Sequence, residues 1–122
     1  MRDLENRKDI ELLLRAFYNK ALVDPLIGTF FTDIAQIDLE AHLPHITDFW
    51  DQQLFRATSY RKNVLQIHKD LHAKKALDLV HFETWLALFN TTVDEIYTGT
   101  NAELIKTRAL SIMTVMRVKL DS

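Results

Sequence analysis

Apolar side chains at Ile10, Leu13, Leu14, Phe17, Tyr18, Ala21 and Leu22 recur every three or four residues. That spacing marks one face of an amphipathic helix. Asn6 or Asp9 suits its N-cap, and the Val23-Asp24-Pro25 turn ends it. A second stripe runs through Leu39, His42, Leu43, Ile46, Phe49, Trp50, Gln53 and Leu54, with Asp38 as its cap. Pro44 is tolerated only near a first turn, so the regular helix is expected to start a few residues later than the stripe does. A third helix is predicted from about Lys62 to His72, with Val64, Leu65, His68, Leu71 and His72 on one side. Asp78 opens a fourth, carrying Phe82, Trp85, Leu86, Phe89, Val93, Ile96 and Tyr97, with Gly99 suited to its C-cap. Asn101 opens a fifth, with Ile105, Ala109, Ile112, Met113, Met116 and Leu120 inward. Between the first two, Pro25 to Asp33 reads as a short turn carrying Phe30 and Phe31, with Gly28 at a sharp change of direction. The pattern predicts an all-α domain of four longer helices with an aromatic interior.

Composition narrows this further. Two glycines and two prolines leave few chain breakers and no Gly-rich phosphate loop. The 122 residues suit one domain, 1–122, with a single core. A net charge of -2 gives no reason to expect nucleic acid or an anionic membrane as partner. With no cysteine there is no disulfide, thiolate metal site, iron–sulfur cluster or covalent haem attachment. A metal must be held by His or carboxylate, or arrive inside a cofactor. The charged start MRDLENRKDIE shows no secretory signal, and no apolar run is long enough to cross a bilayer. A cytoplasmic protein is the expectation.

Candidate chemistry gathers between His68 and Phe89, where three of the five histidines and one of the two tryptophans lie. His68 and His72, four apart, share a helix face. They resemble half of a zinc site, but no Glu follows His68 as in the HExxH motif. His42 occupies an apolar-face position and His45 lies off it; a lone His on such a face is usually a core or boundary residue. Tyr18, inside a buried stripe, needs a partner for its hydroxyl or a polar cavity to face. The residues alone leave three readings open: a cofactor pocket, a non-haem metal bundle using His42, His45, His68 and His72, or a ligand-free helical interaction module. The metal bundle lacks the inward Glu-x-x-His pairs of di-iron proteins.

Several pieces, taken in order, resemble the truncated haemoglobins, and among them the third group. They are Phe17-Tyr18, the HLPHITDFW run from His42 to Trp50, Tyr60-Arg61-Lys62-Asn63 leading to His68, HFETWLALF from His81 to Phe89, and TVDEIYTG from Thr92 to Gly99. Each is weak alone, and the ordered set is strong. The glycine-pair motifs of the other two groups are absent.

The resemblance implies a shortened globin, with two antiparallel helix pairs crossed around one non-covalent haem b. It implies His68 as the proximal iron ligand, with His72, one turn on, as the alternative. It implies Tyr18, His42 and Trp85 on the distal side, where O–H and N–H donors stabilise a diatomic ligand that takes up partial negative charge. His42 has three uses open to it: gating the pocket, donating to the ligand, or ligating the iron. Phe31, Ile46, Phe49, Trp50 and Phe82 are implied as apolar walls, and Tyr60, Arg61 and His45 as candidates to reach the haem propionates. The function implied is reversible binding of dioxygen, nitric oxide or carbon monoxide at a five-coordinate iron, in oxygen or nitric oxide chemistry or redox catalysis. The resemblance leaves open whether the protein is an enzyme. Nitric oxide dioxygenase-like or peroxidase-like turnover would need an external reductase. A monomer is the expected state.

Overall fold

The computed structural model describes residues 1–31, 38–55 and 78–121, with side chains as far as Val118. Tyr60, Arg61, His68, His72, the expected helix from Lys62 to His72 and the inward side chain expected at Leu120 lie outside the described residues. Among those described there are four long helices: α1 (Arg7–Ala21), α2 (Leu39–Phe55), α3 (Leu79–Ile96) and α4 (Thr100–Asp121).

The start of α1 follows from its cap, since Asn6 accepts a hydrogen bond from the Asp9 amide at 3.1 Å. Its end follows from Asp24, whose carboxylate accepts from the Leu26 and Ile27 amides and folds the chain into the next turn. Gly28 is required in that turn, because a Cβ there would stand 2.7 Å from the Leu22 carbonyl oxygen. In α2 the helix begins directly after Asp38, which accepts from the Glu40 amide at 3.1 Å. Pro44 is thus inside the helix instead of at a delayed start. Both Pro44 and Glu40, whose carbonyl loses its helical partner, are exposed residues.

Opposite charges show how the helices run. Arg15 meets Glu40 at one end of the α1–α2 pair, while Arg7 meets Asp48 and Asp51 at the other, so the two are antiparallel. Lys106 bonds Asp94 at 2.7 Å, and Phe82 packs with Met116 at the far end, so α3 and α4 are antiparallel too. The α1 helix crosses α3: Phe17 packs on Trp85 and Phe89, and the Tyr97 hydroxyl donates to the Asp9 carbonyl at 3.1 Å. Two antiparallel pairs crossed in this way bury Ile10, Leu13, Leu14, Phe17, Trp50, Phe89, Val93 and Ile105 in one core. A smaller cluster of Phe30, Phe82 and Met116 sits apart from it.

The N-terminal residues corrected two expectations. Asn101 does not cap α4; the Asp3 carboxylate does, accepting from the Asn101 and Ala102 amides at 2.8 Å each. Asn101 instead donates its side-chain amide to the Leu4 carbonyl. Gly99 does not close α3 but precedes α4, at φ +133°, where a Cβ would collide with the Asp3 side chain. The cap comes from 98 residues away in sequence, beyond the reach of local patterning. Alongside it, Arg2 grips the buried Asp9 carboxylate with both nitrogens and lies over the Tyr97 ring. The Arg2 guanidinium holds the Asp9 carboxyl below its usual range, against the opposing effect of burial.

Two outcomes are expected. Phe89→Ala should cost about 3–5 kcal/mol, because it opens the middle of the core, while Leu110→Ala on the exposed face of α4 stays within about 0.5 kcal/mol. Urea midpoints of both variants check this. Asp9 is stabilising when ionised in the folded state, so its contribution is complete above the unfolded carboxylate value of about 3.9 and is lost as pH falls through the lower folded value. The stability gap between wild type and Asp9→Asn should therefore be constant from pH 7 to about 5 and shrink below about pH 4, as urea titrations across that range will show.

Candidate functional site

Where α1 passes α2, the periodicity of each helix turns one polar aromatic side chain inward. Tyr18 belongs to the α1 stripe and is 4% exposed; His42 belongs to the first turn of α2 and is half-buried. Their Oη and Nε2 atoms are 3.0 Å apart, and the hydroxyl donates when that imidazole nitrogen is bare. The two rings meet edge to face at 5.6 Å, and Phe31 closes on Tyr18 from the other side at 5.5 Å. Burial in this aromatic setting pushes the Tyr18 phenol well above its ordinary value. It stays a neutral O–H donor throughout the physiological range.

Trp85 approaches from α3. Its ring stacks on Phe89 at 4.9 Å and 9°, and takes the edge of Phe17 at 5.2 Å. Phe17 also touches Tyr18 at 5.2 Å, so one phenyl ring links the two donors. Trp85 is half-buried, and its indole N–H has no hydrogen-bond partner among the described residues. Ile46, one turn along α2 from His42, is half-buried as well. Tyr18, His42 and Phe31 thus meet directly, and Trp85 joins them through Phe17.

The other residues singled out from the sequence lie further off. Trp50 is 2% exposed and stacked on Phe89 at 5.2 Å, with Phe49 against its other ring edge. Phe82 belongs to the second cluster with Phe30 and Met116. His45 is exposed on α2. His81 holds the start of α3, its Nδ1 accepting from the Asp78 amide at 2.9 Å while its ring packs on Phe30. Among the described residues no three His, Asp or Glu side chains converge as a metal site would require. Sequence reasoning missed Phe17 as the ring between the donors, and it missed Arg15, which ties down Glu40 beside His42 through two hydrogen bonds of 2.7 and 3.0 Å. A cation one turn before Tyr18 on α1 was the available signal for the latter.

Comparison with known proteins places this geometry. The chain is 30% identical over 110 residues to the group 3 truncated hemoglobin ctb of Campylobacter jejuni, covering 88% of this chain and 84% of that protein. The chain belongs to the group III truncated haemoglobins. The crystal structure of the group III truncated hemoglobin from Campylobacter jejuni superposes with a TM-score of 0.86 at 27% identity, over 98% of this chain and 95% of that one. No protein-family model matches the chain. The crossed helix pairs of this truncated haemoglobin are therefore the truncated-globin fold, and its family implies haem as the cofactor.

The donor set can be tested against that cofactor. A porphyrin needs aromatic and aliphatic surface to cover it, and a small ligand beside it needs a few fixed donors. Half-exposed Phe31, Ile46, Trp85 and Leu86 offer the first, next to a tyrosine hydroxyl, an imidazole and an unengaged indole N–H. The residues fit the group.

Because burial holds the Tyr18 phenol neutral, alkaline titration should separate it from an ordinary tyrosine. Phenolate absorbance reached by pH 11 should be the same in wild type and Tyr18→Phe while the protein stays folded. A drop in the variant would show that Tyr18 is accessible to base.

Proposed function

We propose that this truncated haemoglobin holds haem b without a covalent bond and uses it to bind dioxygen or another diatomic ligand reversibly. The observation that supports the reading most is the Tyr18–His42 contact at 3.0 Å, set in an aromatic enclosure beside Trp85. His68 would hold the iron, with His72 as the alternative ligand; both follow from the resemblance of the stretch after Tyr60 to the family. Tyr60, Arg61 and His45 would meet the propionates. Haem, when bound, would supply an iron able to take up and release a small diatomic ligand.

What the chain itself contributes is hydrogen bonding and exclusion of water. Tyr18 has a fixed, neutral hydroxyl that can donate either to His42 or to a ligand, and Trp85 has an indole N–H available for the same use. Phe31, Ile46 and Phe82 would line the pocket, with Phe49 and Trp50 backing them from the core. Low polarity around the donors strengthens each hydrogen bond to a partially charged ligand. Such a bond is worth about 1.5–3 kcal/mol, or roughly ten- to a hundredfold in ligand retention. Turnover in nitric oxide or peroxide chemistry would draw electrons from a separate reductase.

Titration of the purified protein with hemin is the test. A Soret band growing to one equivalent is expected, and its absence would refute the reading. His68→Ala should abolish the five-coordinate ferrous spectrum; if His72→Ala does so instead, the ligand is His72. Tyr18→Phe and Trp85→Phe should each speed oxygen release by about ten- to a hundredfold, measured by stopped-flow displacement with carbon monoxide. No acceleration in either would remove the hydrogen-bonding role.

A further inference from the structure

Pro44 stands at the sixth position of α2, and it has no N–H with which to bond the Glu40 carbonyl. The turn before it, Leu39 to His42, is therefore tied to the rest of the helix by one hydrogen bond fewer than an unbroken helix would supply. Leu43, 2% exposed, pins the chain in the core at the break. Contacts with α1 hold the turn from outside. One is the Tyr18–His42 contact at 3.0 Å. Another is a fork-to-fork ion pair, with Arg15 Nη1 donating to Glu40 Oε1 at 2.7 Å and Nη2 to Oε2 at 3.0 Å. The two contacts are neighbours: Arg15 lies one turn before Tyr18, and Glu40 two residues before His42. Beside Glu40 a partly open groove of about 180 Å³ lies between the helices, lined by Arg7, Glu11 and Arg15 of α1 and by Glu40, Pro44 and Thr47 of α2. The Thr47 hydroxyl is buried there with no hydrogen-bond partner among the described residues. On this side of the turn the packing is open, while Leu39 rests only partly buried against the core.

The geometry points to the Arg15–Glu40 pair as a latch: these are positioning residues that set how often the Leu39–His42 turn releases Tyr18, and so how fast a diatomic ligand reaches the site. The inference rests on reading Tyr18 and His42 as the ligand-binding side. Two-pronged guanidinium–carboxylate geometry is the most directional an ion pair can have. The pair is nevertheless exposed, at 44% and 70%, so salt screens it. It holds the turn without locking it. Arg7 provides the contrast. It bonds Asp48 and Asp51 beyond Pro44, with one long bond of 3.4 Å to the Pro44 carbonyl, and so clamps α1 to α2 without holding the turn.

The test follows carbon monoxide rebinding after photolysis in the protein loaded with hemin and then reduced with dithionite, together with amide hydrogen exchange at residues 40–46. Glu40→Gln and Arg15→Gln should speed association about two- to fivefold, the range expected for loss of an exposed pair. Exchange at 40–46 should rise while the rest of α2 is unchanged. Molar sodium chloride should do the same to the wild type and little to Glu40→Gln. The charge-swapped variant Arg15→Glu, Glu40→Arg is made together with Glu11→Gln, because Glu11 lies 3.6 Å from Arg15 and would repel the new carboxylate. It should restore both readouts to those of Glu11→Gln alone, and Arg7→Gln should leave both at wild-type values. Unchanged exchange in Glu40→Gln, equal acceleration in Arg7→Gln, or failure of the swap to restore would overturn the latch. Faster exchange with unchanged association would overturn it too, because the turn would then not control access. Should the protein take up no hemin, the function proposed above fails, and exchange in the cofactor-free protein still decides whether Arg15–Glu40 restrains the turn.

Discussion

The rest of the structure depends on one aromatic crossing. Phe89 lies between Trp85 and Trp50, stacked on both, and Phe17 drives its edge into Phe89 and Trp85 from α1. Three helices contribute to this contact, and each can take only the angle at which the rings interlock. Stacked and edge-to-face arrangements are both favourable for the ring quadrupoles, so the crossing is directional as well as apolar. A core of aliphatic side chains would bury similar area with less control over the angle. Here the angle matters, since it fixes where the next residue on each helix emerges.

Those next residues are the two donors of the proposed function. Tyr18 follows Phe17 in sequence, and Trp85 lies one turn before Phe89. The packing that makes the core rigid also sets the separation of the two donors, with the Phe17 ring as the spacer. At the far end of the same crossing, the Tyr97 hydroxyl donates to the Asp9 carbonyl, and Arg2 and Asp3 fasten the N-terminal residues across α3 and α4. The polar clasp and the apolar crossing brace α1 at two points. A helix braced at both can present Tyr18 with little freedom to tilt, as the donor role proposed for it would require.

Much of this was legible in the sequence, for identifiable reasons. The α1 stripe from Ile10 to Ala21 and the α3 stripe from Phe82 to Val93 are period-3.6 patterns, and they read directly as buried faces. Asp38 and Asp78 read as helix starts because capping is a local interaction. The misreadings at Gly99 and Asn101 came from a cap supplied by Asp3, which is distant in sequence and adjacent only after folding. Pro44 was misread for a related reason: its penalty depends on whether the freed carbonyl is exposed, and exposure is a tertiary property. The Tyr18–His42 contact is likewise invisible to periodicity. Each residue looks like an inward-facing member of its own stripe, and only the resemblance to a haem-binding family put the two together. The iron ligand expected at His68 lies outside the described residues, so its place rests on that resemblance.

The contrast between the crossing and the start of α2 gives the site its character. On the α1–α3 side the donors are held by interlocked rings, and motion there would have to break a close-packed core. On the α2 side His42 sits in a turn weakened by Pro44, beside a partly open groove, and held by an exposed ion pair. Stiffness and looseness are thus divided between the two sides from which Tyr18 is approached. If the site takes a small gas as proposed, the donors that would retain the ligand are on the stiff side and the path that would admit it is on the loose side. In the proposed reading, retention falls to α1 and α3 and access to α2, and the two meet at the Tyr18–His42 contact. On the proposals above, Arg15 and Glu40 would act on entry and Trp85 on release, while Tyr18, which touches both the pocket side of α1 and His42 on α2, would act on both.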